Sequence, residues 1–220
     1  MNAIKAIVFD FDGVLADSEP LHLRSYQEVL ASLGVTLTRA DYYSHYLGYD
    51  DEGVFTNLAA AHGFELDAGR LELLIAEKGR VYDMIIASGD VLYPGAVSCV
   101  ARMAAAFPLG IASGALRHEI EAVLSGAGMD RHFRFIVASG DTAESKPAPD
   151  PYRRAAELHG HAPHECLAIE DSRWGIESAR AAGLRCIAIT HTYPADQLRM
   201  ADRVVESLAE FTPAFVQGLG

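Results

Sequence analysis

Residues suited to binding a metal ion or an anionic group follow four of the short apolar runs in this 220-residue sequence. They are Asp10, Asp12 and Gly13 after the first run, Ser113 and Gly114 after the second, Lys146 beyond the third, and Glu170 and Asp171 at the end of the fourth. In open parallel sheets, ligands bind beyond the carboxyl ends of the strands. We therefore expect these carboxylates, the hydroxyl and the lysine to meet at one edge of a sheet.

A group of four carboxylates at one sheet edge requires a positive charge between them. Two carboxylates about 4 Å apart repel each other by about 4 kcal/mol at an effective dielectric constant of about 20. The candidate ligands are hard oxygen atoms, and the motifs contain neither histidine nor cysteine, which favours Mg²⁺ over zinc. The sequence thus predicts a magnesium site close to Lys146.

Strand-sized apolar runs alternate with helical patterns over most of the chain. The runs rich in isoleucine and valine span residues 4–9, 109–112, 135–138, 167–169, 186–189 and 204–205. The helical patterns between them span residues 95–106, 117–127, 151–159 and 175–182. This order predicts an α/β fold, a doubly wound parallel sheet with helices on both faces.

One interval, residues 18–89, interrupts this alternation. It contains no convincing strand, and its amphipathic helical patterns span residues 21–33, 52–62 and 71–86. The simplest interpretation is a helical domain inserted after the first strand. We therefore expect a core domain of residues 1–17 plus 90–220 and a helical cap domain of residues 18–89.

The composition argues against several classes of partner. The formal net charge is −12, whereas nucleic-acid binders need clustered lysine and arginine, so we expect no nucleic-acid partner. No apolar stretch is long enough to span a membrane, and the N-terminal apolar run is too short for a signal peptide. The three cysteines lie far apart, which is typical of buried free thiols. We expect a cytoplasmic protein without a membrane partner, present as a monomer or weak dimer.

Taken in order, the strand-end motifs resemble the four signature motifs of the haloacid-dehalogenase (HAD) superfamily. The four motifs are Asp-Phe-Asp-Gly-Val-Leu-Ala-Asp-Ser from Asp10, Ser113 after the second strand, Ser-Lys-Pro around Lys146, and Glu170-Asp171-Ser172. The helical insertion between the first two motifs resembles the cap of the phosphoglycolate phosphatase and β-phosphoglucomutase branch. The resemblance covers nearly the whole chain and implies the Rossmann-like core of that superfamily.

The resemblance implies phosphoryl transfer through a covalent intermediate. Asp10 would attack the phosphorus atom and form an aspartyl-phosphate, which divides one difficult displacement into two easier ones. Asp12 would protonate the leaving oxygen and then act as base toward the water that hydrolyses the intermediate. The implied substrate is a small-molecule phosphate ester.

The resemblance also implies a Mg²⁺ site and a phosphate site. The metal ligands would be the Asp10 carboxylate, the backbone carbonyl of Asp12, Asp171, and Glu170 either directly or through water. The non-bridging phosphate oxygens would be held by Ser113, the backbone amide of Gly114, and Lys146. A phosphate dianion repels a carboxylate nucleophile, so the metal and Lys146 must neutralise charge before the attack.

Substrate contacts outside the four motifs are expected at His22, Gly48, Lys78 and Arg117. His22 matches the Pro-Leu-His pattern of the branch, in which this position lies near the mouth of the active site. Lys78 resembles the cap lysine that faces the leaving group in sugar-phosphate members, although a solvated helix charge is an equal alternative. Gly48 lies in the stretch that corresponds to a substrate-binding cap loop. Arg117 begins the helix after Ser113 and could touch the substrate.

The cap loop bears on the choice between two activities. In β-phosphoglucomutases this loop carries an arginine shortly after a glycine, and the arginine binds the distal phosphate of a bisphosphate. After Gly48 this sequence instead has Tyr49, Asp50, Asp51 and Glu52. Three consecutive acids would repel a second phosphate, which favours a monophosphate phosphatase for a sugar or polyol phosphate. A β-phosphoglucomutase-like phosphotransferase and a catalytically inactive binding or regulatory relative remain as alternatives.

Overall fold

The apolar runs form one parallel sheet of short, mostly buried strands. The computed structural model describes residues 3–46, 49–86 and 91–219. Within these residues the strands are β1 (Ala6–Phe9), β2 (Leu109–Ala112), β3 (Phe133–Val137), β4 (Cys166–Glu170), β5 (Arg185–Ile189) and β6 (Arg203–Val205). Their order in the sheet is β3-β2-β1-β4-β5-β6, and every neighbouring pair is parallel. The predicted fold class is confirmed.

Strand β1 lies in the interior of the sheet. All of its residues are buried, and it pairs with β2 on one side and with β4 on the other. Ile7, for example, is opposite both Leu109 and Leu167. Because the strands are parallel, the carboxyl ends of β1, β2 and β4 lie at the same edge of the sheet.

The described residues form α-helices of varied length, and some of these helices have recognisable caps. The helices are α1 (Glu19–Ala31), α2 (Arg39–Asp41), α3 (Asp51–His62), α4 (Ala68–Ile86), α5 (Ala96–Ala104), α6 (Arg117–Gly126), α7 (Asp150–His159), α8 (Arg173–Ala181) and α9 (Pro213–Gln217). Ser172 caps α8 by accepting a hydrogen bond from the Gly175 amide, and Gly63 ends α3 in the left-handed conformation. Among the described residues, no helix has both the length and the apolar character required to cross a bilayer.

The chain divides into two compact units. One comprises Met1–Asp17 and Val91–Gly220 and contains the sheet, and the other is Ser18–Asp90. The second unit contains α1, α3 and α4, which bury apolar and aromatic side chains against one another. Its core includes Leu23, Tyr26, Leu30, Phe55, Leu58, Leu74 and Val81. These positions recur at helical spacing, so each helix buries one face.

Some short features of the structure carry no clear signal in the sequence. A π-helical turn at Tyr42–Tyr46 follows α2, and α9 lies near the C-terminus. Both are too short to show a hydrophobic repeat, which needs more than two helical turns to be recognised. Strand β3 begins at Phe133 rather than 135, and α8 begins at Arg173 rather than 175. Arg134 interrupts the apolar run of β3, and Arg173 at the start of α8 is polar, so the ends of both elements are hard to place from an apolar pattern.

The three cysteines are buried free thiols, as predicted. They are Cys99, Cys166 and Cys186. Burial raises the pKa of Cys99 and Cys166 to about 11, so these thiols stay protonated and unreactive at neutral pH. The chemistry of the chain therefore has to come from its other side chains.

Candidate active site

The carboxyl ends of β1 and β4 bring three carboxylates together. In the register of these strands Phe9 is opposite Ile169, so Asp10 and Glu170 follow at the same level. Asp171 is the next residue along the chain. One carboxylate oxygen from each of these three acids lies within 4.8 Å of the others, and all three residues are buried. The structure therefore brings Asp10, Glu170 and Asp171 into one cluster.

Lys146 places a positive charge against this cluster. Its Nζ atom lies 2.9 Å from Asp10 Oδ1 and 2.6 Å from Glu170 Oε1. The ammonium also lies 4.9 Å from the centre of the Tyr152 ring. Burial lowers the pKa of Lys146, but the Asp10 and Glu170 carboxylates outweigh burial and raise this pKa above its ordinary value. Lys146 is therefore a cation in direct contact with Asp10 at neutral pH.

Glu170 is held by several donors from the protein itself. Its Oε1 atom accepts hydrogen bonds from Lys146 Nζ at 2.6 Å and from the Tyr152 hydroxyl at 2.7 Å. Its Oε2 atom accepts from the backbone amides of Asp171 and Ser172 and from the Ser172 hydroxyl. Glu170 has no exposed surface. This geometry suits the orientation of Lys146 better than direct contact with a metal ion.

Gly175 leaves room for the Glu170 carboxylate, which predicts opposite outcomes for two glycine-to-alanine substitutions. A Cβ at position 175 would lie 1.9 Å from Glu170 Cδ, and Glu170 cannot withdraw from its donors. We expect Gly175→Ala to lower the free energy of unfolding by about 1–3 kcal/mol. Apart from its chain neighbours and the backbone of its own helix, a Cβ at Gly79 on α4 would meet no described atom within 4 Å, so Gly79→Ala should raise the free energy of unfolding by about 0.5–1 kcal/mol. Urea unfolding measures both effects, and a Gly175→Ala variant as stable as wild type would contradict this packing.

Negative charge exceeds positive charge in the cluster. Burial and then Glu170 raise the pKa of Asp10 to about 7, with a further contribution from Asp12 and opposition from Lys146. Burial, Glu170 and Asp10 also raise the pKa of Asp171 well above its ordinary value. A bound cation would relieve this repulsion without protonation. Carboxylate oxygens without imidazole or thiolate partners are the donors that Mg²⁺ prefers, so the residues present fit that ion.

Asp12 and Ser113 lie next to each other beyond β1 and β2. The Ser113 hydroxyl lies 3.4 Å from Asp12 Oδ2 and accepts a hydrogen bond from the Ala115 amide. Ser113 is buried, Asp12 is partly exposed and Gly114 is exposed. The strand ends therefore place the hydroxyl, the exposed glycine and the second aspartate of the first motif in one neighbourhood.

A left-handed turn at Gly13 carries the chain past Asp171. Gly13 has a φ of 73°, and a Cβ there would lie 1.9 Å from Asp171 Oδ2. Both the conformation and the close approach require glycine. The Thr192 side chain also lies next to the Asp171 carboxylate and opposes the rise of its pKa. The first and fourth motifs are thus packed directly against each other.

Three residues of this neighbourhood are not predicted from the sequence. Tyr152 lies within the helical pattern of α7, and nothing in that pattern indicates a contact with Glu170. His191 and Thr192 lie beyond the carboxyl end of β5, after Thr190. Ligands bind beyond the carboxyl ends of parallel strands, and this rule applies to β5 as well. The position of His191 and Thr192 after β5 is therefore a sequence signal that could have indicated them.

Arg117 begins α6 and contacts the outermost strand, β3. Its guanidinium donates hydrogen bonds to the Ile136 carbonyl at 2.8 Å and to Asp141 Oδ2 at 2.6 Å. The guanidinium also lies 3.7 Å from Glu121, and the side chain is 46% exposed. These contacts occupy the guanidinium at the edge of the sheet, so a substrate contact for Arg117 stays a prediction.

The helical unit contains a buried lysine. The Lys78 side chain is 3% exposed, and its Nζ atom lies 2.9 Å from Asp51 Oδ1 and 2.9 Å from His22 Nδ1. The ammonium also lies 5.2 Å from the ring centres of Tyr26 and Tyr82. Burial and then Lys78 lower the pKa of His22 well below its ordinary value, so His22 is a neutral acceptor. The alternative that Lys78 is a solvated helix charge is wrong, because α4 packs this face against α1.

Two acids of the predicted cap loop are engaged within the helical unit. Asp50 accepts a hydrogen bond from the Gly53 amide and caps α3. Asp51 pairs with Lys78 and accepts a hydrogen bond from the Tyr26 hydroxyl at 2.5 Å. The expectation of three repelling acids is therefore wrong for Asp51, whose charge is neutralised by Lys78. Gly48, the other predicted residue of this loop, lies outside the described residues.

Comparison with known proteins identifies relatives over nearly the whole chain. The family model for haloacid dehalogenase-like hydrolases matches residues 4–183. The chain is 34% identical over 224 residues to protein CbbY of Rhodobacter capsulatus, with 94% of each chain covered. It is 31% identical over 212 residues to hexitol phosphatase B of Escherichia coli, with 95% of each chain covered.

A solved structure shows the same architecture. A mutant of CbbY from Rhodobacter sphaeroides in complex with xylulose-(1,5)bisphosphate has a TM-score of 0.86 and 28% identity. The similarity covers 97% of this chain and 99% of that chain. The family match, the sheet order and the sequence of motifs along the chain agree with one another. The protein is therefore an enzyme of the haloacid dehalogenase-like hydrolase family.

Proposed function

We propose that this enzyme is a Mg²⁺-dependent phosphatase that hydrolyses a small sugar or polyol phosphate monoester through an aspartyl-phosphate on Asp10. The observation that carries the proposal is the buried cluster of Asp10, Glu170 and Asp171, with Lys146 in contact with Asp10. Phosphoryl transfer to an aspartate requires a carboxylate nucleophile, a cation beside it and donors for a metal ion. The cluster offers all three.

Asp10 is oriented by two contacts to the same oxygen. Its Oδ1 atom accepts hydrogen bonds from the Phe11 amide at 2.8 Å and from Lys146 Nζ at 2.9 Å. These contacts restrict the side chain to one orientation, which lowers the entropic cost of aligning it with a substrate. The carboxylate would attack the phosphorus atom and displace the alcohol oxygen, giving an aspartyl-phosphate and a free alcohol.

Asp12 would transfer the proton in both half-reactions. It would donate a proton to the leaving alcohol oxygen and then accept one from the water that attacks the aspartyl-phosphate. The second step would release inorganic phosphate and restore Asp10. Ser113, which lies beside Asp12, would hold the non-bridging phosphate oxygens together with the Gly114 amide and Lys146.

The metal ligands would be Asp10, Asp171 and the backbone carbonyl of Asp12. Glu170 would contribute mainly by orienting Lys146, because both of its oxygens already accept hydrogen bonds. When bound, Mg²⁺ would neutralise the negative charge of the acids and of the phosphate oxygens.

The substrate class is supported by the named relatives and by the charge of the helical unit. One relative is named hexitol phosphatase B, which points to phosphorylated polyols. In the helical unit Asp51 neutralises Lys78, so this pair offers no net positive charge to a second phosphate. A substrate with a single phosphate and a hydroxylated carbon chain fits these observations best.

A sugar bisphosphate is the second candidate substrate. The complex of CbbY with xylulose-(1,5)bisphosphate favours it, since this chain shares 28% identity with that protein over nearly its whole length. The neutralisation of Asp51 also removes part of the repulsion that the sequence alone suggests. A β-phosphoglucomutase-like phosphotransferase would use the same acids and differ in its product.

Removal of the metal ion tests the proposed chemistry. Without the metal ion the negative charge of the buried acids would exceed the single positive charge of Lys146 and repel an incoming phosphate, so protein treated with EDTA should release phosphate at least about 100-fold more slowly. Addition of Mg²⁺ should restore the rate. The measurement is phosphate release from p-nitrophenyl phosphate, followed by kcat/KM for hexitol phosphates, sugar monophosphates and xylulose 1,5-bisphosphate.

Each outcome of this screen has one interpretation. The highest kcat/KM on a monoester supports the proposed function, whereas the highest value on the bisphosphate supports the second candidate. Interconversion of hexose phosphates primed by a bisphosphate, without free phosphate, would indicate a phosphotransferase. No release from any of these substrates in the presence of Mg²⁺ would contradict the proposal and favour an inactive binding relative.

A further inference from the structure

The loop after β5 contains a histidine that contacts the first motif. His191 Nδ1 lies 3.0 Å from the carbonyl oxygen of Gly13. A carbonyl only accepts hydrogen bonds, so Nδ1 carries the hydrogen and His191 is the donor. Gly13 is buried, and its carbonyl would lose this donor if the imidazole were removed. The contact joins two residues that are 178 positions apart in the sequence.

A second contact restricts the imidazole. The rings of His191 and Tyr93 are stacked, with centroids 3.8 Å apart and an interplanar angle of 24°. Tyr93 is in turn tied to the end of the first motif, because its amide donates to the Leu15 carbonyl and its hydroxyl to Asp17 Oδ1. The stack therefore holds the imidazole in the orientation that directs Nδ1 toward Gly13.

The next residue of the same loop contacts the fourth motif. The Thr192 side chain lies next to the Asp171 carboxylate. Thr192 Oγ1 also lies 2.7 Å from the place that a Cβ of Gly13 would occupy. Two consecutive residues thus contact both sides of the same junction, with His191 on the Gly13 turn and Thr192 on Asp171.

We propose that His191 is a positioning residue that holds the Asp12-Gly13 turn in register with Asp171. This inference rests on the proposed function, in which the Asp12 carbonyl and the Asp171 carboxylate bind the same ion. Without the donor, the Gly13 carbonyl would turn to find another partner. The adjoining Asp12-Gly13 peptide would move with it, and the two ligand groups would no longer face the same point.

Three substitutions of His191 separate the donor from the ring. His191→Phe keeps an aromatic ring for the Tyr93 stack and removes the donor. His191→Asn places an amide nitrogen at about the position of Nδ1, whereas the longer His191→Gln places it at about the position of Nε2, out of line with Gly13. His164→Phe is the control, because His164 is exposed and precedes β4, at the end of the sheet opposite the cluster.

The test combines metal binding with kinetics. The dissociation constant of Mn²⁺ is measured by electron paramagnetic resonance on metal-free protein, which requires no activity. The kcat, the KM for p-nitrophenyl phosphate and the half-saturating Mg²⁺ concentration are measured on the same samples. Outer-shell contacts of metal ligands typically contribute about 10- to 100-fold to metal affinity. We expect His191→Phe and His191→Gln to bind Mn²⁺ at least about 10-fold more weakly, with an unchanged KM at saturating Mg²⁺.

The asparagine variant decides between positioning and general packing. If His191 positions the turn, His191→Asn should recover most of the affinity for Mn²⁺, and His164→Phe should match wild type. If asparagine and glutamine variants bind Mn²⁺ equally, or if His191→Phe binds as wild type does, the proposal is wrong. This comparison holds even if the phenylalanine variant fails to fold. A wild-type protein that binds Mn²⁺ but releases no phosphate would refute the proposed function. The Mn²⁺ affinities of the His191 variants would still test the positioning role of His191.

Discussion

The Asp10→Asn variant is expected to release phosphate at least about 10⁴-fold more slowly than wild type at saturating Mg²⁺. An amide is a poor nucleophile toward phosphorus, and Glu170 is not free to take its place, since it is held by Lys146, Tyr152 and Ser172. The measurement is kcat with p-nitrophenyl phosphate and with the best substrate of the screen.

The fold of this variant should survive. Asp10 is one of three buried acids, and burial and Glu170 both disfavour its charged form, so the loss of that charge relieves repulsion while it removes the ion pair with Lys146. Asp130→Asn, at an exposed position after α6, is the matched control and should keep the wild-type kcat. A kcat for Asp10→Asn within about tenfold of wild type would show that Asp10 is not the nucleophile.

The Lys146→Met variant is expected to lose both activity and stability. Methionine fills much of the same volume but leaves Asp10 and Glu170 without the ammonium that contacts both of them. Removal of one partner from a buried ion pair typically lowers the free energy of unfolding by about 3–5 kcal/mol. We also expect kcat to fall by about 10²- to 10³-fold, because a cation on the transferring phosphoryl group is lost.

Two measurements separate these effects. Urea unfolding in EDTA reports the stability of the metal-free protein, and kcat at saturating Mg²⁺ reports the chemistry of the folded fraction. Lys5→Met is the matched control, since Lys5 is half-exposed, pairs with Glu165 away from the cluster and should tolerate the change. A Lys146→Met protein with the wild-type unfolding midpoint and kcat would contradict the role assigned to this lysine.

The sequence by itself determined the sheet and the location of the candidate site. Each strand interior is a continuous apolar run because β1, β2 and β4 are buried on both faces, and such runs are visible without a structure. The parallel arrangement brings the strand ends to one edge, so Asp10, Glu170 and Asp171 could be expected together before any distance was known. The family resemblance rested on those same positions and agrees with the family match.

Only the tertiary structure decided how individual charges are compensated. The sequence leaves open whether Lys78 is a substrate-facing cap lysine or a solvated charge on an amphipathic helix, whereas the packing of α1 against α4 buries it against Asp51 and His22. Likewise, the sequence cannot show that both oxygens of Glu170 are occupied, because Tyr152 and Lys146 reach it from separate segments. These contacts depend on side-chain directions across packed elements, which local patterns do not encode.

The same reason applies to the loop after β5. The sequence places His191 and Thr192 after a strand, but their contacts with Gly13 and Asp171 exist only because β5 pairs with β4 and β4 with β1. Local patterns report which faces are buried and where elements end. Strand register and helix packing decide which distant side chains meet, and in this protein they decide which acids keep an oxygen available for a cation.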